Sequence, residues 1–240
     1  MRRQRKGSRG FSLVECVVAV AVGMSILGAV YMAVWSGQRS ATGIDRKVTT
    51  GQDARAALEV MAMEMRMVSY NPFYAANPWT DIASCNAGDA TRRGIQNATA
   101  STIQIQMDLS GNGACGDAAN EIIVYTLDAA NQRITREPWT CSGSPVSAGV
   151  QSFLGAAAGE AKTVRVVNAD AGVAIPLFRY FNSTGTDITS SLPGAISQIR
   201  RIEITLVVDS ENVDPSLSGS QRRRMIYSTS VAPRNHAIQF

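Results

Sequence analysis

One carboxylate lies inside a long apolar run near the start of the chain, and the chemistry open to it is charge pairing or protonation. Glu15 follows Gly10, Phe11 and three further residues, and twenty residues without a charge, 16–35, come after it. An ionised carboxylate within a bilayer costs about 2.5 to 3.5 kcal/mol on insertion scales. The sequence therefore predicts that Glu15 either takes up a proton or has a partner group.

The element that carries Glu15 is predicted to be a helix long enough to cross a membrane. At about 1.5 Å per residue, twenty residues span a hydrocarbon core of about 30 Å. Five basic side chains lie within residues 1–10, before the apolar run. By the positive-inside rule, this end is expected in the cytoplasm and the rest of the chain outside it.

The order of these residues resembles the leader and cleavage segment of type IV prepilins and type II secretion pseudopilins. The matching residues are Gly10, Phe11 and Glu15. The resemblance implies that a prepilin peptidase cuts after Gly10 and methylates the new amine of Phe11. It also implies that Glu15 pairs with the N-terminal ammonium of a neighbouring subunit and sets the register of a filament. In lipid these two charges would neutralise each other, whereas unpaired they would both remain buried at a cost.

Two other interpretations of the N-terminal segment are an ordinary secretory signal and a plain signal anchor. A cleaved secretory signal has an apolar core of about 7 to 15 residues followed by a small-residue cleavage site, whereas this run is longer and its glycine comes first. A plain anchor needs neither the glycine before Phe11 nor the carboxylate of Glu15. The prepilin interpretation is therefore preferred.

The positive net charge of the chain comes from the segment before the expected cleavage site. The formal net charge is +4, from 23 Lys and Arg against 19 Asp and Glu, and five of the cations lie in residues 1–10. Removal of that segment leaves 18 cations against 19 anions, or −1. The basicity thus belongs to the leader, and composition does not indicate nucleic-acid binding by the mature chain.

The helix is predicted to continue far beyond the membrane. Proline is absent between Phe11 and Asn71, and residues 52–70 carry apolar side chains at helical spacing. Three glycines predict a bend or a melted stretch at 36–51. The predicted organisation is a leader at 1–10, a helix at 11–71 (11–35 transmembrane or filament core, 52–70 amphipathic) and a globular domain at 72–240.

The remainder of the chain predicts strands, and so an α+β fold of the type IV pilin kind, in which a long N-terminal helix packs on an antiparallel β-sheet. The predicted strands are 102–108, 121–127, 132–136, 163–167, 177–181, 199–208 and 224–231, with variable surface at 73–94, 138–162 and 209–221. The helical block at 52–70 is similar to that of PilW-type minor pilins. The last two strands resemble the closing hairpin of those pilins and of J-type pseudopilins.

The cysteines divide between the two parts of the chain. Cys16 lies in the apolar helix and is interpreted as a small buried residue. Cys85, Cys115 and Cys141 lie in the exported part, where an oxidising periplasm permits at most one disulfide among the three. Cys85 with Cys115 and Cys115 with Cys141 are the pairings to test first, and the third thiol is free or bonded to another subunit.

One loop has the spacing of a possible Ca²⁺ site. Asp108, Ser110 and Asn112 place oxygen atoms at alternate positions before a glycine, as in the first half of an EF-hand loop. Ala119 stands where the bidentate glutamate is expected, although Asp117 and Glu121 are near. The preferred interpretation is a tight connection between two strands, with Ca²⁺ as the alternative and no other cofactor expected.

Catalysis finds little support, and we expect no enzyme. His236 is the only histidine and lies four residues from the C-terminus, so a Ser/His or Cys/His arrangement would depend on a terminal residue. Glu59 and Glu64 are interpreted as a solvated edge. The cationic run 222–224 is interpreted as a solvated turn, with an acidic partner or DNA as the alternative.

These features together predict a minor pilin that, after leader cleavage, helps to initiate or cap a type IV pilus. Its expected partners are the prepilin peptidase, other minor pilins, the major pilin and, before assembly, the inner membrane. Nucleic acid is not firmly indicated. One alternative is a J-type minor pseudopilin of a type II secretion system. Another is a tip adhesin or DNA-binding pilin that uses the loops 73–94 and 138–162.

Overall fold

The computed structural model describes residues 11–157, 159–160, 164–211, 213 and 221–237. Its first element is one unbroken helix, α1, Leu13–Met67, which ends four residues before Asn71-Pro72. The predicted melted stretch at 36–51 is wrong, because these residues are helical. Each glycine lowers helix propensity by up to about 1 kcal/mol but retains its N–H and C=O, so the hydrogen-bond ladder continues.

The chain divides into two compact units, residues 1–45 and residues 46–240. The second unit includes the C-terminal part of α1 together with every strand among the described residues.

The first sheet of the second unit has six antiparallel strands. They are β1 Ile95–Ala98, β2 Thr102–Gln106, β3 Ile122–Asp128, β4 Arg133–Cys141, β5 Pro145–Ser147 and β6 Gln151–Leu154. The order is β1-β2-β3-β4-β5, and β6 also pairs with β4. The predicted hairpin of 102–108 with 121–127 is present as β2 and β3, in which Ile103 lies opposite Tyr125.

The second sheet has four antiparallel strands. They are β7 Val164–Val166, β8 Phe178–Phe181, β9 Arg201–Ser210 and β10 Arg224–Val231. One side of β9 pairs with β10 along its length, while β7 and β8 share its other side. Three short 3-10 helices are Thr189–Ser191, Ile196–Gln198 and Arg234–Ala237.

A single core joins α1 to both sheets. In α1 the buried side recurs every three or four residues, as helical periodicity requires, through Thr50, Gly51, Ala54, Ala57, Leu58, Met61, Ala62 and Met65. The partners of this stripe include Ile105 and Tyr125 of the first sheet and Ile204 and Leu206 of the second. The α+β arrangement, one long N-terminal helix with antiparallel sheets, is therefore confirmed.

One predicted loop contains regular structure. Residues 138–162 hold the end of β4 and the whole of β5 and β6. β5 and β6 are three and four residues long. Because the segment is polar and the strands are short, its sequence shows no clear strand pattern. β1 was missed for the same reason, because two of its four residues are polar amides.

Candidate assembly site

Two hydrogen bonds of Ser12 cap the start of α1, one with Glu15 and one with Val14. The Ser12 N–H donates to Glu15 Oε2 at 2.9 Å, and Ser12 Oγ accepts from the Val14 N–H at 3.3 Å. This arrangement is a capping box in which the serine oxygen binds the amide of the second helical residue instead of the third, and the carboxylate also interacts favourably with the positive end of the helix dipole. The S-x-x-E spacing of residues 12–15 is the signal in the sequence that predicts such a cap.

Phe11 directly precedes this cap. It lies outside the helix, and 86% of its surface is exposed. Gly10, after which the cleavage is expected, and the basic residues before it lie outside the described residues. The Glu15 carboxylate therefore binds the N–H of Ser12, the residue that directly follows Phe11.

The apolar half of α1 is not buried by the described part of its own chain. An 18-residue window of the helix has a mean hydropathy of 2.3, and none of it is buried within the part of the chain that the structure describes. By length and composition the helix can cross a membrane. A core helix of a globular protein would instead bury most of such a window. The side chains of this segment therefore need an apolar surrounding supplied by something else.

The end of this apolar run carries an aromatic and a cationic group in contact. The guanidinium of Arg39 lies 4.2 Å from the ring centroid of Trp35. Trp is enriched where apolar and aqueous phases meet, and Arg extends its charge toward water from such a position. The pair fits the boundary of a membrane-embedded segment.

The disulfide of the second unit joins Cys85 to Cys141. Neither of the two pairings placed first, Cys85 with Cys115 or Cys115 with Cys141, is the one formed. Cys115 is a buried free thiol, and its burial and the carboxylates of Glu121 and Asp108 raise its pKa. The thiol is thus kept protonated and unreactive. Cys16 is exposed in this single chain, contrary to the expected burial.

The loop between β2 and β3 is stabilised by two fully buried carboxylates. Asp108 accepts backbone N–H groups of Gly111 at 2.7 Å and Gly113 at 2.8 Å. Glu121 accepts those of Ser110 and Gly116, both at 2.9 Å. Because these oxygens bind the loop's own backbone, they hold it as a tight connection between β2 and β3.

The other proposed ligands are likewise engaged. The amide of Asn112 donates to Asp117 and lowers the pKa of that carboxyl group, and Ser110 Oγ donates to Asp108. Among the described residues, no group of three or more His, Cys, Asp or Glu side chains is placed to hold a metal ion. The contacts therefore favour the tight connection, and the Ca²⁺ alternative is not carried further.

His236 contacts a serine that the sequence does not indicate. Its Nδ1 lies 3.0 Å from Ser69 Oγ, and its Nε2 lies 3.0 Å from the Ile196 carbonyl. Since a carbonyl only accepts, Nε2 carries the proton and Nδ1 accepts from the serine. Arg93 donates to the His236 carbonyl. The ring is fully buried, and this burial lowers its pKa to about 4.

This pair does not have the setting of a catalytic dyad. Ser69 is also fully buried, and its oxygen accepts the Gly94 N–H at 3.0 Å. The position of the orienting carboxylate is taken by a backbone carbonyl. The contacts instead attach the 3-10 turn Arg234–Ala237 to the end of α1 and to Arg93.

Glu64 is not the solvated edge that was predicted. Its carboxylate pairs with Arg136 at 2.8 Å and accepts the hydroxyl of Tyr125, and the Glu64 and Arg136 side chains are each 14% exposed. Burial and the neighbouring Glu64 carboxylate raise the pKa of Tyr125. The network links α1 to β3 and β4.

The cationic run near β10 is also used inside the chain. Arg224 forms two hydrogen bonds of 2.9 Å with Asp209, and Arg222 donates to the Glu211 carbonyl. Arg224 is thus part of strand β10 rather than of the solvated turn that was predicted, and the contacts of these two arginines lie within the chain.

The comparisons with known proteins bear on the N-terminal segment. Residues 5–31 match the family model described as the prokaryotic N-terminal methylation motif. No curated protein and no solved structure gives a significant match. Together with the uncovered apolar helix, the motif supports a membrane-anchored subunit of the type IV pilin or pseudopilin kind.

Proposed function

We propose that the chain is a minor pilin of the PilW type, a membrane-stored subunit that joins other minor pilins and helps to initiate or cap a type IV pilus. The observation that carries this proposal is the apolar half of α1. It begins within the methylation motif, and its most apolar window is unburied among the described residues. Its partners are the prepilin peptidase, other minor pilins and the major pilin. Its chemistry is assembly rather than catalysis.

Lipid covers this helix first, and other helices cover it after assembly. Lipid is about as apolar as a helical core, so hydrophobic burial contributes little to the transfer, which depends on packing and polar pairing. Glu15 supplies the polar pair with the N-terminal ammonium of a neighbouring subunit. The capping box supports this role, since it holds the carboxylate at the helix start.

The proposed topology places the N-terminus in the cytoplasm and the second unit outside. Five basic residues within 1–10 favour this orientation. The Cys85–Cys141 bond supports it, because disulfides persist in oxidising compartments. The subunit then moves from the inner membrane to the pilus at the cell surface.

The first experiment is mass spectrometry of filaments sheared from the native organism. We expect a peptide that begins with methylated Phe11, at low abundance beside a major pilin. Processed protein confined to the membrane fraction would favour the alternative, a J-type pseudopilin of a type II secretion system. An intact Met1 terminus would contradict both.

Substitutions of Glu15 separate charge pairing from helix capping. Glu15→Ala removes both, whereas Glu15→Gln removes the charge but can retain a capping box. We expect normal cleavage of both variants and at least tenfold less of each in sheared filaments. If Glu15→Gln enters filaments at the wild-type level, the charge does not set the register.

A further inference from the structure

The edges of the two sheets are not protected equally. β1 is four residues long and interrupted by a bulge. β5 has three residues and begins with Pro145, and β6, β7 and β8 have three or four residues. β10, in contrast, has eight residues in unbroken register with β9, and within the described residues it pairs with no other strand. Shortness, bulges and proline are three of the protections of an edge, and β10 has none of these three.

The register of β10 determines which of its backbone groups have no strand partner among the described residues. The Ser210 N–H donates to the Arg223 carbonyl, so this pair faces inward across the two strands. Hydrogen-bonded and non-hydrogen-bonded pairs alternate along an antiparallel ladder. The N–H and C=O groups of Ile226, Ser228 and Ser230 therefore point away from β9. Ile226 is 60% exposed, and both serines are exposed.

A groove lies beside this edge. It has a volume of about 520 Å³ and lies between β10 and the helix, with Thr229 on the strand side and Leu58, Ala62 and Met63 among its apolar helix residues. The lining also includes one carboxylate, Glu59, and two arginines, Arg55 and Arg66. The two arginines are eleven residues apart, about 16 Å along a helix, which equals about five residues of an extended strand.

We propose that β10 is a docking edge for an extended segment of another protein chain, which adds as a further strand and carries acidic and apolar side chains. The free backbone groups select an extended partner, the apolar floor of the groove selects apolar side chains, and the two arginines select carboxylates spaced along that strand. Main-chain pairing supplies affinity in such additions, and pockets for alternate side chains supply specificity. The inference concerns the second unit and does not depend on the proposed pilus role.

The test is site-specific photo-cross-linking of the full-length chain in its native cells. The cross-linking residue replaces Ile226, Ser228 or Ser230 one at a time, and Gln151 of β6 serves as a control position on a protected edge. Mass spectrometry then locates each cross-link in the partner. Strand addition predicts partner residues that advance by two for each step of two along β10, and the partner segment should contain carboxylates.

Matched variants test the two recognition features. With the cross-linker at 230, Ser228→Pro removes one outward N–H without removing a bond to β9, and the yield should fall at least tenfold. Ser228→Ala keeps that N–H and should leave the yield unchanged. Arg55→Ala and Arg66→Ala should each lower the yield about two- to fivefold, the range of an exposed ion pair.

Several results would overturn the proposal. These are the absence of adducts from all three β10 positions, adducts equally strong from position 151, and contacts that advance by three or four residues as along a helix. An unchanged yield in Ser228→Pro, in protein whose globular unit resists protease like the wild type, would also overturn it. A strand-like ladder found in the membrane fraction alone would support the docking edge and count against the proposed pilus role.

Discussion

The two ends of α1 differ in where their apolar side chains are covered. In its first part, the most apolar window has no buried residue within the described chain, and Glu15 binds the backbone of its own helix start. From Thr50 to Met65, one stripe is buried against strands of both sheets, and Glu64 pairs with Arg136. One regular helix therefore contains both an exposed apolar segment and a segment that packs in the core of its own chain.

This difference teaches that helix formation and helix burial are separate properties here. The first part satisfies its backbone hydrogen bonds internally, and its most apolar side chains are not buried within the described chain. The second part has its cover inside the chain. Changes in the second part should therefore alter folding of the single chain, whereas equivalent changes in the first part should alter only membrane storage or assembly.

The largest effect is expected from the disulfide. Replacing Cys85 and Cys141 together by Ala opens a link between residues 56 apart in sequence. The loop-entropy relation gives about 4 kcal/mol of lost unfolding free energy. Urea unfolding of the detergent-purified chain, followed by tryptophan fluorescence, measures this loss. Cys16→Ala is the control and should leave the transition unchanged; similar midpoints for both variants would contradict the prediction.

A pair of methionines tests the comparison directly. Met61 is 0% exposed and Met24 is 68% exposed in the same helix. Met61→Ala should lower the unfolding free energy of the second unit by about 2 to 5 kcal/mol, because it removes buried atoms and leaves a cavity. Met24→Ala should change it by less than about 0.5 kcal/mol. Equal effects in urea unfolding would show that the two parts do not differ in this way.

Two glutamates of α1, five residues apart, allow a buried and an exposed carboxylate to be compared in the same way. Glu64→Gln breaks a largely buried ion pair and weakens the bond from Tyr125, so we expect a loss of about 3 kcal/mol. Glu59 is exposed, and Glu59→Gln should stay within about 0.5 kcal/mol of the wild type. Chemical unfolding near neutral pH compares the two variants. A loss below about 1 kcal/mol for Glu64→Gln would show that the Glu64 network contributes little to stability.

The smallest effect at mild pH concerns His236. Its pKa is about 4 in the folded chain and 6.5 in the unfolded chain, because burial disfavours the charged ring. As the pH falls below 6.5, His236 becomes protonated in the unfolded chain but stays neutral in the folded chain. The free energy of unfolding therefore falls by up to about 1.4 kcal/mol per pH unit until about pH 4. Urea unfolding at pH 7, 6 and 5 measures the slope.

The control for this slope is His236→Gln. His236 is the only histidine, so the variant should lose the dependence between pH 6.5 and 5 even if its stability at pH 7 is lower. If the pH dependence of stability persists unchanged in the variant, titratable groups other than His236 cause it.

The structure could be predicted from sequence where the chain has a periodic pattern or is bounded by turn residues. The long helix, the β2–β3 hairpin and β10 follow from patterns that extend over eight or more residues or are bounded by turn residues. β1, β5 and β6 could not be predicted, because strands of three or four residues depend on pairing with a neighbour rather than on their own pattern. The Cys85–Cys141 pair could not be chosen either, since spacing does not select connectivity.

What the sequence determined by itself is local or compositional: the methylation motif at 5–31, the uncharged run 16–35, and the absence of proline that lets α1 continue to Met67. Such features depend on the order of neighbouring residues and on transfer between water and lipid. Tertiary structure alone decided the contacts between distant residues. Glu64 with Arg136, Ser69 with His236, and the open edge of β10 beside α1 each require two segments that folding brings together, and no spacing along the chain encodes them.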